Sequence, residues 1–96
     1  MKPSETLKTH RDAIRRVVLQ HHALNPRSFG SVLHGSDSDE SDLDLLIDPT
    51  PETTLLDIAK ITVELEALLG VSVDVLTPKA LPEKFREQVL AEAVSI

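Results

Sequence analysis

The 96-residue sequence contains no cysteine, tryptophan or tyrosine, and aromatic residues make up only 2% of it. Without cysteine the chain has no disulfides and no thiolate metal sites, and nothing points to an oxidising compartment. With so few aromatic side chains, the core must be built from the aliphatic residues that dominate the 41% hydrophobic fraction. The length predicts one domain, residues 1–96, which leaves no room for a separate substrate-binding module.

Long apolar runs are also missing. The first ten residues, MKPSETLKTH, lack the apolar stretch of a signal peptide, and no segment approaches membrane-spanning length. We therefore expect a cytoplasmic protein with no membrane partner.

Positive charge is scarce beyond the first quarter of the chain. The formal net charge is -6, and residues 28–96 hold four Lys/Arg against fourteen acids. A nucleic-acid binder neutralises phosphates with a basic surface, so this composition argues against a nucleic-acid partner. An acidic cluster can still act on a phosphate group when a divalent cation lies between the two.

The residue pattern predicts alternating helices and strands. Ser4 is predicted to cap a first helix that runs to about His22, and Asn25-Pro26 to break it. The last helix is expected to bury Phe85, Val89 and Leu90. The full prediction is a helix over 5–22, a strand over 27–33 interrupted by Gly30, a loop over 34–41, a strand over 42–47, a helix over 52–69 capped by Thr53 or Thr54 and ended by Gly70, a strand over 71–76 and a helix over 82–93.

This order, α-β-loop-β-α-β-α, predicts an α/β (α+β) fold: a small mixed sheet of three or more strands flanked by helices. The helix over 52–69 is expected to pack on the sheet. Its predicted apolar stripe consists of Leu55, Ile58, Ala59, Thr62, Leu65, Ala67 and Leu69.

Three aspartates fall in phase on two predicted strands. Asp42 and Asp44 are two positions apart, so they project to the same face, with Cα atoms about 6.5 Å apart. A parallel crossover from this strand to the next would bring Asp74 to that face as well. Because crowded carboxylates repel one another, a pair of divalent cations is a natural way to keep all three ionised. Oxygen ligands without His or Cys favour two magnesium ions, with manganese as the alternative.

Gly30-Ser31 precedes Asp42 by ten intervening residues. A glycine lets the backbone approach a phosphate closely, and the serine adds a hydroxyl and an N–H donor to the same anion. Ser41 is positioned to orient Asp42. The predicted metal and triphosphate site therefore consists of Gly30, Ser31, Ser41, Asp42, Asp44 and Asp74.

The acidic loop also has the spacing of a calcium-binding loop. Asp37, Asp39, Ser41 and Asp48 occupy positions 1, 3, 5 and 12 of an EF-hand. Position 6 is Asp42 where the turn needs glycine, and position 12 is an aspartate where a bidentate glutamate is usual. The segment also follows a strand pattern, so the sequence disfavours calcium.

The spacing of Gly30-Ser31 and Asp42-Leu43-Asp44 resembles the signature of the nucleotidyltransferase domains of the DNA polymerase beta superfamily. The chain is similar above all to the minimal nucleotidyltransferase (MNT) proteins of bacteria and archaea, typically the antitoxin partners of HEPN-domain toxins. The similarity runs from the first helix through Gly35 and the strand of Asp74 to Glu92-Ala93-Val94. It implies the nucleotidyltransferase fold for the whole chain.

The resemblance also implies roles for individual residues. Asp42 and Asp44 would bind both metal ions, and Asp74 would complete one metal site and help activate the acceptor hydroxyl. Gly30 and Ser31 would hold the triphosphate. The implied reaction is in-line attack of a hydroxyl on the α-phosphate of ATP, with release of pyrophosphate; in these antitoxins the acceptor is a tyrosine of the HEPN toxin. The sequence leaves open an assembly of the chain with identical or with different chains.

The chain departs from this family at one place. The relatives usually carry arginines between the serine and the next glycine, whereas this chain has Val32-Leu33-His34. Triphosphate binding would then be weaker, or would draw on His34 or on a residue of the first helix. Three hypotheses follow: AMP transfer to the toxin, neutralisation of the toxin by direct binding with a weak or inactive site, and transfer to a small molecule or RNA. The last is weakened because no second domain is expected to hold the acceptor.

Overall fold

Helices and strands alternate along the chain in a computed structural model that describes residues 2–96. The strands form one four-stranded sheet in the order β3-β2-β1-β4, in which β2 and β3 are parallel and the other pairs antiparallel. The predicted α/β class with a small mixed sheet is confirmed. The elements are α1 (Pro3–Thr9), α2 (Arg11–Gln20), β1 (Ala23–Phe29), α3 (Ser31–His34), β2 (Leu43–Pro49), α4 (Leu55–Leu69), β3 (Val73–Leu76), a 3-10 turn (Pro78–Ala80), α5 (Glu83–Glu92) and β4 (Val94–Ser95).

Helix α4 connects the two parallel strands. It begins with a capping box in which Thr54 accepts from the N–H of Asp57, while the Asp57 carboxylate accepts from the N–H of Thr54 at 2.9 Å. It ends at Gly70, whose left-handed φ of +70° suits glycine. The predicted strand–helix–strand unit is confirmed, and it places Asp44 opposite Asp74 on neighbouring strands.

An aliphatic core lies between the sheet and helices α2 and α4. Alternate residues of β2 point into it, because side chains along a strand alternate between the two faces. Burying each such side chain contributes about 1.5–3 kcal/mol, which makes β2 the best-anchored strand. The fully buried members of this core are Ile14, Val18, Ala23, Leu43, Leu45, Ile47, Ile61 and Leu65.

The N-terminal part of the chain differs from the prediction. Two helices, separated at His10, replace the single predicted one. Helix α1 starts at Pro3, a residue that suits the first turn because it lacks an N–H, so Ser4 is not its cap. Asn25 and Pro26 do not break a helix either; they lie within β1, where the pairing with β2 is irregular.

The segment after Gly30 was predicted as the end of a strand, and this was wrong. Val32 and Leu33 lie in the short helix α3, which ends at Gly35. Gly30 has φ +77° and ψ −146°, a conformation that turns the chain out of β1 and that only glycine adopts readily.

Several apolar residues predicted to face inward are exposed. Phe85 is 51% and Leu90 37% exposed on α5, and Leu55 is 86% exposed at the start of α4. The predicted helical period of α4 and α5 was right. However, α2 and α4 cover the sheet, and α5 lies beside the sheet and lines a cleft. No helix within residues 2–96 is long and apolar enough to cross a membrane.

Candidate active site

The three predicted aspartates lie on or next to the parallel strand pair of the sheet. Asp44 lies on β2 opposite Asp74 of β3, and Asp42 directly precedes β2. Burial, followed by the negative charges of Asp74 and Asp42, raises the pKa of Asp44 to about 6. The fold thus crowds negative charge around a half-buried carboxyl, an arrangement that a divalent cation would relieve.

A metal ion fits the chemistry of this cluster, although the carboxylate groups do not converge on a single point. Within residues 2–96, no three His, Asp or Glu side chains lie closely enough together to hold an ion. Repulsion between the carboxylates opposes such convergence, and a magnesium ion, whose usual ligands are hard oxygen donors, would remove that repulsion. The three-aspartate metal site therefore stays a prediction.

Gly30 is in contact with the carboxylate cluster. Phe29, the residue before it, pairs with Asp44 across β1 and β2. A Cβ atom at position 30 would overlap Oδ2 of Asp44 and lie 3.2 Å from its Cγ. Glycine is thus needed for space as well as for its positive φ, and the Gly30-Ser31 turn lies directly against Asp44.

Ser31 and Ser41 have different surroundings. Ser31 opens helix α3, where the first backbone N–H groups of a helix have no partner within the helix. The hydroxyl of Ser41 accepts from the N–H of Ser38 at 2.8 Å, and its own N–H donates to the carbonyl of Ser38 at 3.0 Å. Ser41 thus shapes the loop in front of Asp42, and its predicted nucleotide contact stays a prediction.

Asp37 anchors the acidic loop to the first helix, a role not predicted from the sequence. The residue is 8% exposed, and its carboxylate accepts from the N–H of Ser4 at 2.9 Å. That bond is the main reason why the pKa of Asp37 lies below its usual value. The first position of the EF-hand-like spacing is therefore used to fasten the loop.

Two arginines of the N-terminal part of the chain, Arg15 and Arg27, have partners away from the Gly30 turn. Arg27 pairs with Asp48 at the other end of β2, and Arg15 donates to Asp12 and to the carbonyl of Ile96. His34 is the basic residue next to Gly30, and its Nε2 lies 3.3 Å from a carboxylate oxygen of Glu92 on α5.

A cleft of about 380 Å³ opens between α3 and α5 beside Gly30. The residues contributed by α5 could not be assigned to the site from the sequence, because their helical period equally suits a core face. The cleft is lined by Phe29, Gly30, His34, Phe85, Gln88, Val89 and Glu92.

Comparison with known proteins agrees with this arrangement. Residues 27–96 match the family model of polymerase beta nucleotidyltransferases. A candidate protein adenylyltransferase of Methanocaldococcus jannaschii is 32% identical over 80 residues, which is 83% of this chain and 86% of that protein. The protein adenylyltransferase MntA of Thermococcus cleftensis is 35% identical over 68 residues, which is 71% of this chain and 69% of that protein.

Solved structures show the same fold. A candidate minimal nucleotidyltransferase is 43% identical and superposes with a TM-score of 0.86, over 97% of this chain and 95% of the other. A toxin–antitoxin complex with AMP-PNP shares the fold at 16% identity, with a TM-score of 0.73 over 88% of this chain and 69% of the other. Because the sequence match, the fold and the aspartates beside a Gly-Ser turn all agree, the chain belongs to the polymerase beta nucleotidyltransferase family, in its minimal form.

Proposed function

We propose that this protein transfers AMP from magnesium-bound ATP to a tyrosine hydroxyl of a HEPN-domain toxin and thereby acts as its cytoplasmic antitoxin. The observation that carries the proposal is the contact between Gly30 and Asp44, which joins the phosphate-binding turn to the carboxylate cluster. Relatives named as protein adenylyltransferases support a protein as the acceptor.

Each carboxylate has a role in this reaction. Two magnesium ions, held by Asp42 and Asp44 with Asp74 on one of them, would neutralise phosphate charge and lower the pKa of the acceptor hydroxyl. Asp74 is exposed on β3, where it can accept the proton of that hydroxyl. The tyrosine oxygen forms a bond to the α-phosphorus, the bond from that phosphorus to the bridging oxygen breaks, and pyrophosphate leaves.

The turn at Gly30 holds the triphosphate in line. Because Gly30 has no side chain, a phosphate can approach the backbone next to Asp44. The hydroxyl and N–H of Ser31 donate to that phosphate, and a ring N–H of His34 can donate to it where the relatives carry arginines.

Intact-mass spectrometry of the co-expressed toxin tests this function. With ATP and magnesium, the wild-type protein should add the mass of at least one AMP to the toxin. Asp42→Asn combined with Asp44→Asn should abolish the addition, whereas Glu87→Gln, an exposed position on α5, should preserve it. An unmodified toxin after incubation with folded wild-type protein would contradict the proposal.

A second candidate function is inhibition of the toxin by binding alone. The apolar residues of α4 that remain exposed favour it, since Leu56 and Val63 are 63% and 65% exposed and a partner could cover them. On this alternative, the double Asp42/Asp44 variant would still protect cells from the toxin. Loss of protection in the folded variant, with protection kept by Glu87→Gln, would argue for catalysis.

A further inference from the structure

The only two aromatic residues of the chain line the same cleft. The sequence holds two phenylalanines and no tryptophan or tyrosine. Phe29 ends β1, Phe85 lies on α5, and both face the space beside Gly30 and His34. Since the core is aliphatic, these two rings are not needed to fill it. Because both line one cleft at the edge of the candidate active site, they suit a ligand with a flat apolar surface.

Helix α5 turns one face towards this cleft. Phe85, Gln88, Val89 and Glu92 follow the spacing i, i+3, i+4, i+7, which places them on one side of a helix. The amide nitrogen of Gln88 lies 3.4 Å from a carboxylate oxygen of Glu92, whose other oxygen is 3.3 Å from His34. The wall is therefore apolar with a linked polar edge.

The ring of Phe85 is open to stacking on one face. Phe85 is half exposed, and the ammonium group of Lys84 lies over the other face, 5.6 Å from the ring centroid. The cleft volume of about 380 Å³ falls within the range of small-molecule sites, about 300–1,000 Å³. Because Gly30 lines this cleft and also touches Asp44, a molecule in the cleft would continue directly into the triphosphate site.

We infer that this cleft binds the nucleoside part of the triphosphate, with the base stacked on Phe85 and its edge bonded to the amide of Gln88. The inference rests on the proposed function for the identity of the ligand. A carboxamide offers one donor and one acceptor side by side, which match the N6 and N7 edge of adenine, so Gln88 favours adenine over guanine.

Binding measurements on the free protein test this subsite without relying on transfer. Calorimetry in magnesium compares ATP, GTP and inorganic tripolyphosphate, which has the phosphates but no base. Phe85→Ala should weaken ATP binding about ten-fold, since stacking on an aromatic ring is lost, and leave tripolyphosphate binding unchanged. Phe85→Trp should restore ATP binding, and Gln88→Leu should bring the affinities for ATP and GTP closer together.

Leu90→Ala is the matched control, because Leu90 is a partly exposed apolar residue of the same helix that does not line the cleft. It should leave both affinities unchanged. Equal weakening of ATP and tripolyphosphate by Phe85→Ala would overturn the inference and assign the ring a structural role. Unchanged ATP affinity with a raised KM for the toxin would also overturn it, because the cleft would then hold the acceptor.

The two proposals fail in different ways. If ATP binding depends on Phe85 but the toxin is never modified, the subsite stands and the proposed transfer fails. If the toxin is modified equally well by wild type and Phe85→Ala at limiting ATP, the transfer stands and the subsite fails. Wild-type protein that binds no ATP would overturn the subsite.

Discussion

Replacing Gly30 with alanine is expected to destabilise the protein through both its backbone conformation and its contact with Asp44. The backbone there has φ +77° and ψ −146°, which costs an L-residue about 1–3 kcal/mol. The new Cβ would also overlap Oδ2 at the end of the Asp44 side chain, and turning that side chain off its preferred rotamer costs a further ~0.5–1.5 kcal/mol. Reduced freedom of the unfolded chain returns only about 0.4–1 kcal/mol. The net expected loss is about 0.5–4 kcal/mol.

Gly35 is a matched control for this substitution. It also has a positive φ, +70°, but a Cβ there would meet nothing within 4 Å. Gly35→Ala should therefore cost only the left-handed backbone conformation, about 1–2 kcal/mol before the unfolded-state gain. The two glycines also differ in ψ, −146° at Gly30 and +17° at Gly35, so a double-mutant cycle with Asp44 is needed to isolate the contact.

Urea unfolding in EDTA measures both variants. At about 4–8 °C per kcal/mol for a domain of this size, Gly30→Ala should also melt below Gly35→Ala. Adding Asp44→Ala to Gly30→Ala removes Oδ2 and Cγ, the atoms nearest the new Cβ, so the double variant should recover about 0.5–1.5 kcal/mol relative to additivity. Strict additivity in the cycle would refute the steric explanation.

Three further predictions concern charge and capping. Burial, Asp74 and Asp42 raise the pKa of Asp44 from 3.8 to about 6. Asp44→Asn removes this unfavourable charge and should therefore raise the free energy of unfolding in EDTA by about 1–2 kcal/mol, a value reduced for solvent screening. This gain should be full above pH 6, shrink as pH falls through 6 and vanish below 3.8; a gain independent of pH in urea titrations would contradict it. Asp37→Asn should destabilise the protein above pH 3.8 and lose its effect at lower pH, because the pKa of Asp37 is lowered by its bond from Ser4; a urea series against pH measures it. Thr54→Ala should lower stability by about 1 kcal/mol through loss of the α4 cap, while Thr54→Ser keeps it; thermal unfolding that shows no difference between the two would contradict the capping role.

Local chemistry was sufficient to predict much of this fold. The alternation of β2 defines its buried face, and the cap at Thr54 and stop at Gly70 define α4 to within a few residues. These features depend on neighbours in sequence, so a periodic pattern reveals them. The phase of Asp44 and Asp74 follows from the same alternation once the strands are parallel.

Features that depend on distant parts of the chain could not be predicted. Nothing local distinguishes Asn25-Pro26 in an irregular strand from a helix break, because the pairing partner β2 decides it. The exposure of Phe85 follows from α2 and α4 already covering the sheet. Similarly, Asp37 acquires its role only when the loop folds back onto Ser4.

The sequence by itself determined which residues are the candidates for the chemistry, since the distance from a Gly-Ser turn to three aspartates in strand phase can be recognised from spacing alone. Only the tertiary structure decided how they are combined. It presses the backbone of Gly30 against Asp44, raises the pKa of that carboxyl, and brings the two phenylalanines together in a cleft beside it. The physical reason is that side-chain phase is a property of one strand, whereas desolvation, close approach and cleft shape arise only when separate elements pack together.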